Sequence, residues 1–258
     1  ARGSPEMPVL FPHSKSHTMK IFSLNVKGLN IPHKRHSLYT DISSEKPDVI
    51  CLQETHFKHS AYPRLYLPQY TTQFHATSPT KTRGVSILIQ NRLFETHRLL
   101  KDPGGRYIIL VCTINSRTYT LVSVYAPNAS QTQFISRLLN KVQDVLTGTL
   151  IICGDFNLSI DPLMDRSVGG SRPHRAASIG RLRELMTQYD LYDTWRLLHP
   201  TARDYSFRSR VHNSYTRIDY FFAPGNVLPF ITDCCILPIT WSDHAPVLLT
   251  AVQWSTFR

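Results

Sequence analysis

Leu150-Ile151-Ile152-Cys153-Gly154-Asp155-Phe156-Asn157 is an apolar run that breaks into a glycine, a carboxylate and an amide. The apolar half reads as a buried strand. Strand ends are where a layered sheet protein gathers a site, because rigid strands aim side chains into one crevice. Further along, Ser242-Asp243-His244 opens the run Ala245-Pro246-Val247-Leu248-Leu249-Thr250. Either motif alone is weak. Together they offer carboxylates, an amide and an imidazole, the mixture with which a divalent metal and a proton-handling histidine act on a phosphodiester.

The same pattern recurs elsewhere. Residues 19–24 alternate and meet Asn25, residues 48–52 meet Gln53-Glu54, and the strand 217–222 carries Asp219 among apolar neighbours. Residues 107–114 and 118–125 flank Asn115-Ser116-Arg117 as a hairpin whose second arm ends at Tyr125, and residues 84–89 add another strand. Asn25, Glu54, Tyr125, Asp155, Asn157, Asp219, Asp243 and His244 are therefore the candidate site. Apart from His244 they are oxygen donors, which suit Mg²⁺ or Mn²⁺ rather than zinc. Each also has a plain reading. Asn25 fits a turn cap before Gly28, Glu54 a solvated strand end, Tyr125 a core ring, and Asp155 and Asn157 an Asx turn. Asp219 needs a partner if buried. One shared site accounts for all eight at once.

Helical spacing predicts a helix over 130–146, with Phe134, Leu138, Leu139, Val142 and Leu146 on one face. A second is expected over 175–189, with Ile179, Leu182, Leu185 and Met186, and a third over 34–45. Many strands and few helices, mixed along the chain, imply α/β or α+β with large sheets. The 258 residues show no linker or low-complexity break, so a single domain over 18–254 is expected. Residues 1–17 read as a cloning scar and a disordered lead, and residues 255–258 as the end of a fragment. The 29 basic against 18 acidic residues give +11 and a pI of about 9.6, favouring an anionic partner, with nucleic acid before membrane surface. No run approaches a membrane span. Cys51, Cys112 and Cys153 sit in apolar runs without C-x-x-C spacing, and Cys234 and Cys235 point to opposite faces of a strand. Buried free thiols of a reducing compartment fit them best.

Six stretches resemble the endonuclease/exonuclease/phosphatase superfamily: Leu24-Asn25-Val26, Gln53-Glu54-Thr55, Val124-Tyr125-Ala126-Pro127-Asn128, Gly154-Asp155-Phe156-Asn157, Arg217-Ile218-Asp219-Tyr220 and Ser242-Asp243-His244. Within it, the endonuclease domain of LINE-type (non-LTR) retrotransposons is most similar. Residues 24–30, Leu191-Tyr192-Asp193-Thr194-Trp195-Arg196, and Tyr205-Ser206-Phe207 ahead of Arg217 carry that narrower match. The resemblance implies a four-layer α/β sandwich, two packed mixed β-sheets flanked by helices. The chain departs from it after Asn157, where Leu158 stands in place of the usual threonine. An abasic-site specificity is not carried over.

The resemblance also implies roles. Glu54, helped by Asn25, holds Mg²⁺ (Mn²⁺ substituting), with Asp243 a direct or water-bridged ligand. Asp155 deprotonates the attacking water, Asn157 fixes it, Asp219 orients His244, His244 and Tyr125 contact the phosphate, and Ser242 supports the Asp219 and Asp243 region. The expected reaction is a nick in duplex DNA that leaves a 3′-hydroxyl to prime reverse transcription. The implied partners are a reverse transcriptase domain and element RNA in the parent protein, with no membrane. That protein is expected to be made in the cytoplasm and to act in the nucleus, its endonuclease domain monomeric. Between two strands, Arg208, Arg210, His212, Asn213 and Tyr215 form a protruding hairpin suited to groove reading. Lys27 and Arg166 are further DNA contacts, with Lys34, Arg35, Lys81, Arg83, Arg172 and Arg175 as diffuse phosphate contacts. The competing readings are an inactive nucleic-acid-binding module, and a phosphatase or phospholipase of the same superfamily.

Overall fold

Each half of the fold contains one β-α-β crossover between neighbouring parallel strands. In a computed structural model of the chain, residues 18–92, 94–167 and 173–252 are described, with backbone alone for 173–177. The expectations for 1–17 and 255–258 lie outside the described residues. The first crossover runs β1 (Thr18–Asn25), α1 (Pro32–Glu45) and β2 (Val49–Gln53), followed by β3 (Thr72–Ala76) and β4 (Val85–Ile89). After β5 (Phe94–Lys101) and β6 (Tyr107–Ile114), the second runs β7 (Arg117–Tyr125), α2 (Gln131–Gln143) and β8 (Thr149–Asp155). Then come α3 (Pro173–Gln188), β9 (Leu191–Asp193), α4 (Thr194–Leu198), β10 (Phe207–Ser209), β11 (Ser214–Thr216), β12 (Asp219–Pro224), β13 (Ile231–Ile236) and β14 (Val247–Val252).

The strands form two six-stranded sheets, β13-β14-β1-β2-β4-β3 and β5-β6-β7-β8-β12-β9, with β10-β11 as a separate ribbon. β1–β2 and β7–β8 are parallel, and the other pairs are antiparallel. Alternation along each strand sorts the side chains into layers. Met19, Ile21, Val49, Cys51, Ile108, Leu110, Leu121, Ile151, Cys153, Phe221 and Leu249 fill the space between the sheets. Phe22, Leu24, Ile50 and Leu52 face Leu38 and Ile42 of α1. Ile109, Val122, Ile152 and Phe222 face Ile135 and Leu138 of α2 and Leu182 of α3. This is the expected four-layer sandwich. Cys234 enters the inter-sheet core while Cys235 packs toward the α1 layer, on opposite faces as expected.

Beyond the unpredicted strands β3, β5 and β9, the departures are at element ends. Leu146 is exposed beyond α2, and Val145 is buried instead. Pro246 cannot donate to a ladder, so the last strand begins at Val247. At the start of β12, Arg217 N donates to Asp165 O (2.9 Å), and Ile218 N and Asp219 N both donate to Ser206 Oγ (3.0 Å each). Among the described residues no helix is long and apolar enough to cross a membrane.

Candidate active site

The inward-facing rows end in polar residues at one edge of the sandwich. Met19, Ile21 and Ser23 lead to Asn25. Val49 and Cys51 lead to Gln53, with Glu54 beyond. Leu121 and Ser123 lead to Tyr125, and Ile151 and Cys153 lead to Asp155. Register joins these ends, since Asn25 pairs with Gln53, Tyr125 with Asp155, and Asp155 with Asp219. Beneath them Gln53 Nε2 donates to Ser23 Oγ (3.2 Å) and to Ser123 Oγ (3.1 Å), a polar layer tying the two sheets together.

The exits from these strands are bent. Lys27, Glu54, His56 and Asn157 all have positive φ, near +50°. Such conformations are costly for residues other than glycine or asparagine and persist where the surroundings over-determine them. At Gly84 (φ +128°) a Cβ would lie 2.2 Å from Thr55 Oγ1, so this glycine lets the chain after Glu54 pass close by.

Asn25 is the bridge between halves. Its Nδ2 donates to Glu54 Oε1 and to Asp155 Oδ2, both at 2.9 Å. Asp155 Oδ1 accepts from Asn157 N (2.8 Å), and Asn157 Nδ2 donates to Ala126 O (2.8 Å). His244 Nδ1 meets Asp219 Oδ2 at 2.8 Å, while its Nε2 faces Asp155 Oδ2 at 3.9 Å. Ser206 Oγ donates to the same Asp219 oxygen (2.7 Å). Ser242 Oγ donates to Asn25 O (2.7 Å) and accepts from His244 N (3.3 Å), so it ties the histidine turn to β1, whereas the sequence reading has it supporting the Asp219 and Asp243 region. Asp243 pairs with Lys27, whose backbone N donates to Asn25 Oδ1 (3.0 Å). The Tyr125 ring lies 4.9 Å from the Arg106 guanidinium.

The electrostatics divide the cluster. Burial opposes ionisation of Glu54, but hydrogen bonds from His56, Asn25 and Tyr125 win and hold it down at about 2. Asp155 goes the other way. Burial and then the charge of Asp219 raise it above the ordinary carboxylate range, against His244, the Asn157 amide and Asn25. Burial works against the His244 imidazolium, yet the charge and hydrogen bond of Asp219, with Asp155 and Asp243 behind, raise it to about 9. Burial and Glu54 raise the Tyr125 hydroxyl, which stays protonated.

All the strand-end candidates converge here. Three neighbours went unread in the sequence. His56 holds Glu54 Oε2 at 3.1 Å, and the signal was there, since it lies two residues after Glu54. Ser206 belongs to the quoted Tyr205-Ser206-Phe207. The buried Arg217 donates to Asp165 (3.0 and 3.1 Å) and Asp193 (3.0 and 2.7 Å) and packs between Trp195 and Tyr220. Nothing local in sequence foretells that a strand-edge arginine is fully buried.

The hairpin is stitched to the site through backbone. Arg208 N donates to Asp243 O (2.9 Å), Phe207 pairs with His244, and Tyr215 N donates to Ser167 Oγ (2.8 Å). Arg208, Arg210, His212, Asn213 and Tyr215 are exposed. A slot of about 400 Å³ separates Arg208, Arg210 and Val211 from Lys27, Lys34 and Trp241. Arg166 Nε donates to Ser159 Oγ (2.9 Å) beside β11. Lys34 spends its charge on Val26 O and Lys27 O (2.8 and 2.6 Å), and Arg35 on Leu29 O and Asn30 O (2.7 and 2.9 Å). These two brace the loop after β1. Lys81 and Arg83 are exposed, while Arg172 and the Arg175 side chain lie outside the described residues.

Two acids at strand ends, one held low and one raised, with a histidine kept charged beside them, make a centre suited to phosphoester chemistry. The model of the endonuclease/exonuclease/phosphatase family matches residues 22–244, and the chain belongs to that family. It is 31% identical to the DNA repair nuclease APEX1 of Danio rerio over 95% of the chain and 89% of that protein. It is 27% identical to the Transposon TX1 uncharacterized 149 kDa protein of Xenopus laevis, over 92% of the chain but 19% of that protein. Among solved structures, the AP endonuclease LMAP of Leishmania major superposes with a TM-score of 0.76 at 21% identity (92% of this chain, 88% of that one). The Xenopus laevis APE2 catalytic domain gives 0.73 at 23% (92% and 94%).

Proposed function

We propose that the chain is a Mg²⁺-dependent endonuclease that nicks one strand of duplex DNA, and that it serves a LINE-type (non-LTR) retrotransposon. The observation that carries the reading is the convergence of Asp155 Oδ2 and His244 Nε2, 3.9 Å apart, each backed by its own partner. An oxygen about 2.8 Å from both atoms makes two ordinary hydrogen bonds.

The donor set fits a hard divalent cation. Glu54 is ionised across the physiological range, and Asp243 Oδ1 and Asp219 Oδ1 are buried without a hydrogen-bond partner among the described residues. Asp155, Asp219 and His244 also lie within 4.8 Å of one another, but a histidine held as imidazolium is a poor ligand. Glu54, with Asn25 and Asp243, is the set to hold Mg²⁺, Mn²⁺ substituting. When bound, the ion neutralises charge growing on the phosphoryl and leaving oxygens. Asp155, made more basic by burial and Asp219, takes the proton of the attacking water. Asn25 and the Asn157 amide fix its two oxygens. His244, kept charged by Asp219, donates from Nε2 to the phosphate, and Tyr125 donates its hydroxyl. The exposed hairpin residues, with Lys27 and Arg166, contact DNA.

The retrotransposon reading is supported by similarity to the TX1 transposon protein and by the stretches at 24–30, 191–196 and 205–207. Residues 18–254 then act as one monomeric domain, in the nucleus, beside a reverse transcriptase domain and element RNA. The higher identity to a DNA repair nuclease makes incision at abasic sites the second reading.

Supercoiled plasmid nicking tests both. Wild type should nick in Mg²⁺ and stop in chelator, and the nicks should be extendable by a polymerase. Asp155→Ala and His244→Ala should each lose orders of magnitude. Near-wild-type rates in either variant overturn the assignment. Much faster incision of an oligonucleotide with one abasic site than of its intact counterpart selects the second reading.

A further inference from the structure

Lys27 stands between the metal set and the cationic slot. Its ammonium pairs with Asp243 Oδ2, and its side chain also lines the slot across from Arg208 and Arg210. Resting on the nuclease reading, we propose that Lys27 competes with the divalent ion for Asp243 and yields it when a DNA phosphate enters the slot.

The charge balance at the site carries the argument. Of Glu54, Asn25 and Asp243, only the two acids bring charge, and Lys27 is paired with one of them. Asp243 Oδ1 is buried without a hydrogen-bond partner among the described residues, so the carboxylate still has an oxygen to give. An ion that takes this carboxylate must share it with the ammonium or displace it. Displacement costs Lys27 little. Its side chain is 57% exposed, against 16% for Asp243, and an ion pair open to water on one side is weak. A phosphate oxygen gives the ammonium a charge-assisted hydrogen bond in exchange.

Only the side chain can respond. Lys27 N donates to Asn25 Oδ1 (3.0 Å), Lys27 O accepts from Lys34 Nζ (2.6 Å), and Gly28 N donates to Glu54 O (2.6 Å). A Cβ at Gly28 would lie 2.9 Å from His56 Nδ1, so the loop is also pressed against the Glu54 side. Lys34 cannot take the same role, because Val26 O and Lys27 O hold its ammonium. The backbone thus fixes Lys27 beside the metal set, and the long side chain is left with an anion on either hand. DNA and the ion then assist each other through one residue, and by linkage the assistance is mutual.

The test follows Mn²⁺ binding to the whole chain by loss of the free-ion EPR signal. Without DNA, Lys27→Met should bind Mn²⁺ roughly fivefold tighter than wild type, the scale of an exposed ion pair, and Lys27→Arg should bind like wild type. In an Asp243→Asn background Lys27→Met should change nothing, since its effect passes through that carboxylate. A short duplex, corrected for the ions it binds alone and shown intact by gel, should tighten Mn²⁺ more for wild type than for Lys27→Met. An unchanged affinity in Lys27→Met, a gain that survives Asp243→Asn, or equal tightening by the duplex in both proteins overturns the proposal. Where Asp243→Asn binds no Mn²⁺, the NMR signal of Lys27 Cε decides. It should move when Mg²⁺ is added to wild type, and a fixed signal overturns the proposal. Plasmid nicking by the same wild-type preparation separates the outcomes. Nicking alongside any of these failures sinks the Lys27 coupling alone, and no nicking sinks the nuclease reading.

Discussion

The two β-α-β crossovers use one design for opposite electrostatic ends. In the first, β1 ends at Asn25 and β2 leads into Glu54, and hydrogen bonds hold the carboxyl near 2. In the second, β7 and β8 end at Tyr125 and Asp155, and burial beside Asp219 raises the carboxyl. The architecture places both acids alike. What differs is the company each keeps. Glu54 accepts from His56 and Asn25 at a partly open edge, whereas Asp155 is sealed against another carboxylate. The first half is thus a fixed negative charge suited to a cation, and the second is a group that can exchange a proton.

The strongest way to break this comparison is Asp155→Asn, which keeps shape and removes basicity. Nicking should fall by about 10³-fold or more at every Mg²⁺ concentration. Glu54→Gln should cost less, about 10²-fold, and part of the loss should return as Mg²⁺ is raised. A Mg²⁺ titration of both variants checks the pair, and equal rescue of both would erase the distinction.

Linkage gives opposite pH signatures in metal-free buffer. The His244 value is raised from 6.5 to about 9, so its stabilisation is full below about 6.5 and is lost as pH rises through 9. That shift corresponds to about 3 kcal/mol. The Glu54 value is lowered from 4.5 to about 2, so its contribution is present above 4.5 and is lost as pH falls toward 2. Denaturant unfolding across pH should show the alkaline loss flattened in Asp219→Asn and the acid loss flattened in Glu54→Gln. An unchanged alkaline limb in Asp219→Asn would remove the His244–Asp219 couple from the account. The smallest effect expected is His56→Ala, which should raise the Mg²⁺ requirement several-fold with little change at saturation.

The strands that carry the site were legible because central strands must alternate against two layers. The strands that went unread, β3, β5 and β9, lie at or end the sheets, and β5 is mostly exposed as FETHRLLK. An edge strand has one neighbour and no obligation to alternate. The same reason hid part of the site. Asn25, Glu54, Asp155 and His244 end apolar runs and announce themselves. Ser206 and Arg217 act through contacts that exist only after β12 meets β8 and β9.

The one-dimensional chain thus determined the layers, the central strands and the identities of the strand-end acids, amide and imidazole, because apolar periodicity and abrupt polarity are local properties. The assignment of roles was decided by tertiary structure. Two carboxylates of nearly equal intrinsic acidity separate only when one is given donors and the other is buried beside a like charge, and the histidine stays charged only because Asp219 faces it. Apart from His56, two residues from Glu54, those neighbours lie 25 to 130 residues apart in sequence, and only packing brings them together.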